Sequence, residues 1–256
     1  MSDPATSGAS TEPTDPCLDF AVVSEALVSG RVPVAPTFSV DLYRDIHKGL
    51  RAELFGLTLA AGDTDPLDDA ARADLAAHMD RVAGVLEAHA HHEDAFLDAP
   101  LRAVDPALAD RIDAEHHEVK EAFAAADALA RAVAGATGDD RRGGLQLLHL
   151  QLAAFTSSYL RHLLVEERVA MVRLADALGP EGLAEIDQAM AAAIPPDQMA
   201  ASLAFMLPAM NADDRAELLG GLRDHAPAEV YGPVLTLARS VLDPAALRAT
   251  EDRLRR

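Results

Sequence analysis

The sequence predicts an all-α chain: an up-down-up-down four-helix bundle followed by a smaller C-terminal domain of short helices. Three observations lead there. Apolar residues recur at spacings of three and four over long stretches, the period of a helix with one buried face. The alternating Val/Ile/Thr runs of half-buried strands are absent. Alanine is abundant, aromatics make up only 4% and there is no Trp, a composition that lets helices pack closely. With 256 residues and 50% hydrophobic content, the chain is long enough for one substantial core and a second, smaller one.

The expected plan is a disordered or loosely packed lead-in over residues 1–37, the bundle over 38–179 and the short-helix domain over 180–256. Residues 1–16 are rich in Ser, Thr, Pro and Asp and lack the apolar content to fold. Phe20 to Val28 is a short apolar piece, and Arg31 to Pro36 carries two prolines. The first long helix is expected to start near Ser39 or Asp41, either a fair cap, and to run to about 61. Its apolar stripe is Leu42, Ile46, Leu50, Leu54, Leu57 and Ala61, with His47 beside it. Gly62 to Pro66 ends it.

The second helix is expected over roughly 66–97, with a stripe of Leu75, Met79, Val82, Leu86, His89, Glu93 and Phe96. Pro100 closes that segment. The third, about 106–136, shows Leu108, Ile112, His116, Val119 and Phe123 on one face. The fourth, about 144–178, carries Leu148, Leu152, Phe155, Tyr159, His162, Glu166, Val169 and Arg173, with Gly179-Pro180 as its stop. Beyond 180, prolines and Asn211 punctuate segments that read as roughly three to five short helices. Met199, Met206, Leu207, Leu219, Val234 and Leu247 supply their apolar faces.

Composition narrows the classes of function. A net charge of −20 repels phosphate, which argues against nucleic acid and anionic membranes as partners. One cysteine, Cys17, allows neither an intrachain disulfide nor a thiolate zinc site. No stretch of about 20 apolar residues is present, and no basic segment followed by an apolar run opens the chain, so a cytoplasmic location is expected.

The informative feature is where core residue types give way to metal-ligand types. On the second helix the inward stripe turns from leucine to His89 and Glu93, four apart and therefore on one face. His162 and Glu166 repeat that spacing on the fourth helix. His47 and His116 stand inward on the first and third. In an antiparallel bundle all four positions fall toward the same end. Four imidazoles and two carboxylates suit one or two first-row metals. Zinc prefers four ligands, often with thiolate, and magnesium or calcium would want oxygens. Carboxylates from facing helices can bridge a pair of irons. Such a pair would remain short of six-coordinate, with room for an oxo or hydroxo bridge and a small ligand. His91, His92 and His117 are expected to face solvent or support the ligands, His92 best placed to do so. His78, Tyr43 and Tyr159 are expected to pack, and Glu167 to lie at the surface or in a salt bridge.

The segments Asp45-Ile-His47-Lys-Gly-Leu50, His89-Ala-His-His-Glu93-Asp94, Glu115-His116-His-Glu-Val119 and His162-Leu-Leu-Val-Glu166-Glu167 resemble the hemerythrin-like (HHE cation-binding) family. These are four-helix bundles with a non-haem di-iron centre. The resemblance spans about 38–178. It implies His47, His89, His116 and His162 as terminal iron ligands and Glu93 and Glu166 as bridging carboxylates. Oxygen-carrying members have His-x-x-x-His on the third helix, whereas position 120 here is Lys. The four-His, two-Glu set resembles members concerned with nitric oxide, iron repair or sensing.

The implied function is a di-iron protein binding or reducing dioxygen, peroxide or nitric oxide in stress handling or sensing. The alternatives are an oxygenase or oxidase acting on an organic substrate in a cavity beside the metals, and an iron-responsive module. In the last, the C-terminal domain would engage a protein partner or a second copy.

Overall fold

The computed structural model describes residues 28–30, 32 and 34–255. The segment expected to be disordered, 1–16, and Cys17 lie outside the described residues. The chain divides at residue 38, and the described residues from Ser39 onward form one compact unit. Among the described residues there is no strand.

Helix α1 spans Arg44–Asp63. The Asp41 carboxylate accepts from the backbone N–H groups of Tyr43 and Arg44, so the expected cap acts while the helix itself begins at 44. Helix α2, Asp69–Phe96, starts where the Asp68 side chain accepts from Ala70 and Ala71 N–H, satisfying donors the first turn leaves open. A short helix α3, Asp98–Val104, follows. Pro100 does not close the segment as expected; it sits in the first turn of α3, where a missing N–H costs nothing. Helix α4, Pro106–Ala134, has Asp105 as cap and Pro106 at its first position. Helix α5, Asp140–Val165, passes through Gly143 and Gly144 and so begins earlier than expected.

At Glu166–Ala170 the chain makes a π-helical turn and continues as α6, Met171–Ala193. The turn corrects the sequence reading. Val169 is only partly buried and Arg173 is exposed, while Ala170 and Leu174 are fully buried. One extra residue in the turn moves the inward register by one position. Gly179, at φ 63°, breaks α6, and the helix resumes at Pro180 rather than stopping there.

Helices α1, α2, α4 and α5 form a ring in which each packs on the next and α5 closes on α1. Their apolar core includes Leu50, Leu54, Met79, Val82, Phe123, Leu148, Leu152 and Phe155. It fills the bundle on one side of the level at which His47, His89, His116 and His162 stand.

The remaining helices are α7 (Pro196–Ala209), α8 (Ala212–His225), α9 (Ala228–Val241) and α10 (Pro244–Leu254). They share a core of Leu203, Leu207, Met210, Leu219, Val234, Ala238 and Leu242. Helix α7 lies against α1 at Gly49, where an added Cβ would stand 2.6 Å from the Phe205 ring. Ion pairs of Lys48 with Asp214 and of Arg44 with Glu217 flank that contact. Among the described residues, no helix is long and apolar enough to cross a membrane.

Candidate metal centre

Each of the four bundle helices brings one imidazole inward, and α2 and the π-helical turn after α5 each add a carboxylate. His89 and Glu93 are one turn apart on α2, with Nε2 3.3 Å from Oε1. His162 and Glu166 repeat the arrangement at 3.0 Å. His47 Nε2 lies 3.4 Å from Glu166 Oε2 and 3.8 Å from Glu93 Oε1. His116 Nε2 lies 3.2 Å from Glu93 Oε2 and 3.4 Å from Glu166 Oε1.

Two four-donor groups result. His47, His89, Glu93 and Glu166 form one; Glu93, His116, His162 and Glu166 form the other; within each, the donor atoms lie inside 4.8 Å of one another. The two carboxylates are common to both groups. All six residues named from the sequence therefore come together in one cluster.

Three further carboxylates hold the imidazoles from behind. His47 Nδ1 is 3.0 Å from Glu167, which Arg51 grips with both guanidinium ends at 2.6 and 2.9 Å. His162 Nδ1 is 3.0 Å from Glu115, itself held by Arg111. His116 Nδ1 is 3.0 Å from Asp94. An Nδ1–H donated to a carboxylate fixes the ring and leaves Nε2 as the free lone pair.

Sequence reading missed Asp94 and Glu115, and placed Glu167 at the surface or in a salt bridge. The available signal was adjacency. Glu115 precedes His116 and Asp94 follows Glu93, each about 100° round its helix and so directed at the next helix in the ring. His92 contacts His91 at a ring distance of 5.9 Å, His117 pairs with Glu121, and His78 with Glu53. Tyr43 and Tyr159 are buried, with rings 5.2 Å from His47 and 5.7 Å from His162.

The polar groups here do not satisfy one another. His47 Nε2, His89 Nε2, His116 Nε2, both oxygens of Glu93 and Oε2 of Glu166 are buried without a hydrogen bond. Buried polar atoms are rarely left so, and a metal ion in each donor group would satisfy them. The donor set of imidazole nitrogen and carboxylate oxygen without thiolate fits a first-row transition metal.

The electrostatics agree. Burial disfavours the charge on both glutamates, yet the surrounding imidazoles outweigh it and hold Glu93 low and Glu166 well below the usual range. Burial likewise lowers His47, but Glu167, Glu93 and Glu166 raise it overall to about 9. Glu166 and Glu115 raise His162 to about 9 against the same burial penalty. Burial wins at His89, which falls to about 4. Burial and the two glutamates push the Tyr43 and Tyr159 phenols well above their ordinary value, so both keep their protons. Two buried carboxylates thus demand positive charge, which protons or metal ions can supply.

A model of the hemerythrin HHE cation binding domain matches residues 39–174. No curated protein and no solved structure matches the chain. The match covers more than half of the 256 residues and all four helices that build the centre, and so the chain belongs to the hemerythrin HHE cation-binding domain family.

Proposed function

We propose that the cluster holds two non-haem iron ions and that the protein binds or reduces a small oxidant, namely dioxygen, peroxide or nitric oxide, in stress handling or sensing. The observation that carries this reading is the pair of four-donor groups sharing Glu93 and Glu166. Each group offers two imidazole nitrogens and two carboxylate oxygens, two short of an octahedron.

A ferrous pair bound there would supply the electrons that reduce a small oxidant. The chain's own part is to hold the donors and control the surroundings. Glu167, Asp94 and Glu115 orient three of the imidazoles. Tyr43 and Tyr159 place neutral phenols beside the shared carboxylates.

Elemental analysis of the purified protein with its optical spectrum tests the metal. Near-stoichiometric zinc, or no iron after anaerobic loading, would sink the reading. His89→Ala should lose most bound iron. His149→Ala should not, because His149 instead bonds the Thr58 carbonyl. Reaction of the reduced, iron-loaded protein with dioxygen, peroxide and nitric oxide, compared side by side, identifies the oxidant.

A further inference from the structure

The six residues of the centre are almost wholly buried, and one of them borders a cleft. The side chains of His47, His89 and His162 are 0%, 6% and 3% exposed, and those of Glu93 and Glu166 are 7% and 1%. His116 is the most open at 10%. It forms part of the wall of a cleft of about 810 Å³ between α2 and α4, which also reaches Tyr159.

The lining of this cleft is rich in donors for a cation. Helix α2 contributes Glu87, His91 and Asp94, and α4 contributes Asp113, His117 and Asp127. Lys120 also lines it, but its ammonium stands 4.0 Å from Glu87, which offsets its charge. Two of its lining residues carry a buried atom without a hydrogen bond: His116 at Nε2, which belongs to the centre, and Asp127 at Oδ1. Eleven residues separate them on α4, about 16 Å along the helix axis. Asp127 is paired with Arg131, yet its second oxygen stays unbonded in the cleft wall.

We propose that this α2–α4 cleft is the route by which divalent cations load the centre. The cation is drawn in by the carboxylates, handed along transient nitrogen and oxygen donors, and delivered past His116. The proposal rests on the metal reading above. Acidic walls in a chain of net charge −20 concentrate cations and raise their arrival rate. The same walls repel anions, so the route is selective by charge.

The test is the rate of Fe²⁺ uptake by the full, chelator-stripped chain under anaerobic conditions, with unbound iron read by a colorimetric ferrous chelator. A Glu87→Gln/Asp113→Asn variant removes two cleft charges without touching a donor of the centre. A Glu251→Gln/Asp252→Asn variant makes the same change in charge on α10. The cleft variant is expected to load roughly tenfold more slowly, with a weaker salt dependence and the same final iron content. The α10 variant is expected to load like the parent. Equal rates for parent and cleft variant, as for a path serving only a neutral oxidant, would overturn the proposal. Equal slowing in both variants would also do so. If the parent itself takes up no iron, the final content and not the rate reports it, and the metal reading fails with the route.

Discussion

Stripping the metal should make the stability of this protein fall as pH rises from 6.5 to 9, the reverse of the loaded form. His47 and His162 are raised from 6.5 to about 9 in the fold. A base bound more tightly in the folded state contributes stability that is complete below 6.5 and is lost as pH climbs through 9. Moving one imidazole that far corresponds to about 3 kcal/mol. Both side chains are almost wholly buried, so solvent screening removes little of it. They share Glu166, so their contributions do not add, and a total on the order of 3–6 kcal/mol is expected. For a chain of this size that is a fall in Tm of roughly 6–24 °C. His89, lowered to about 4, acts in the opposite sense: its contribution is present above 6.5 and lost as pH falls through 4. The metal-free chain should therefore be most stable just below 6.5. In the loaded chain the ligands must be deprotonated to bind, so its stability rises with pH over the same window. Thermal unfolding followed by circular dichroism at several pH values from 5 to 9.5, with and without metal, gives both curves. A metal-free Tm that is flat or rising between 6.5 and 9 would refute the reasoning. So would a His162→Gln variant with the parent's slope.

Three further outcomes follow from named contacts. Glu167→Gln removes the charged acceptor of His47 Nδ1; chelator competition should show metal affinity down about 10- to 100-fold with unchanged stoichiometry, and an unchanged affinity would deny Glu167 any orienting role. Gly49→Val forces a side chain into the Phe205 ring at a cost of about 1–3 kcal/mol; hydrogen exchange should rise first in α7–α10, and a uniform rise over the bundle would contradict this. Arg72, 2% exposed, donates to the carbonyls of Val133 and Pro66 and to Asp69; Arg72→Met should lower unfolding stability by about 3 kcal/mol, read as a shift of the urea midpoint.

The bundle and its six inward donors were legible because helical period ties sequence spacing to a face. Leu86, His89 and Glu93 had to share one side of α2, whatever packed there. What lay beyond that rule was the crossing between helices. Glu115 is next to His116 in sequence but serves His162 on α5, and Asp94 follows Glu93 but serves His116 on α4. Adjacency turns a flanking side chain about 100° toward a neighbouring helix but does not say which imidazole it meets there. The contact of α7 with α1 was hidden for a similar reason: Gly49 leaves no apolar mark in a stripe, and its purpose shows only when Phe205 lies against it.

The π-helical turn was not read from the spacing: the expected stripe ran on to Val169 and Arg173, whereas the buried residues are Ala170 and Leu174. His162, Glu166, Ala170 and Leu174 are all buried and each four residues apart. An α-helix turns 100° per residue, so every such step drifts by about 40°, and three steps by about 120°. A single straight α-helix cannot keep all four on one face. An i→i+5 turn absorbs the drift, and it sits between Glu166 and Ala170, where the drift would otherwise turn Leu174 away from the core. Its position also explains the two adjacent acids. Glu166 Oε2 is 3.4 Å from Nε2 of His47, and Glu167 Oε1 is 3.0 Å from Nδ1 of the same ring. Consecutive carboxylates thus face the two nitrogens of one imidazole on another helix, Glu167 bonded to Nδ1 and Glu166 beside the unbonded Nε2. Glu166 has its second oxygen 3.0 Å from His162, while Glu167 turns outward to Arg51. A mutation that restored a plain α-helix here would therefore disturb His47 on α1 as well as Glu166, and both donor groups would loosen together.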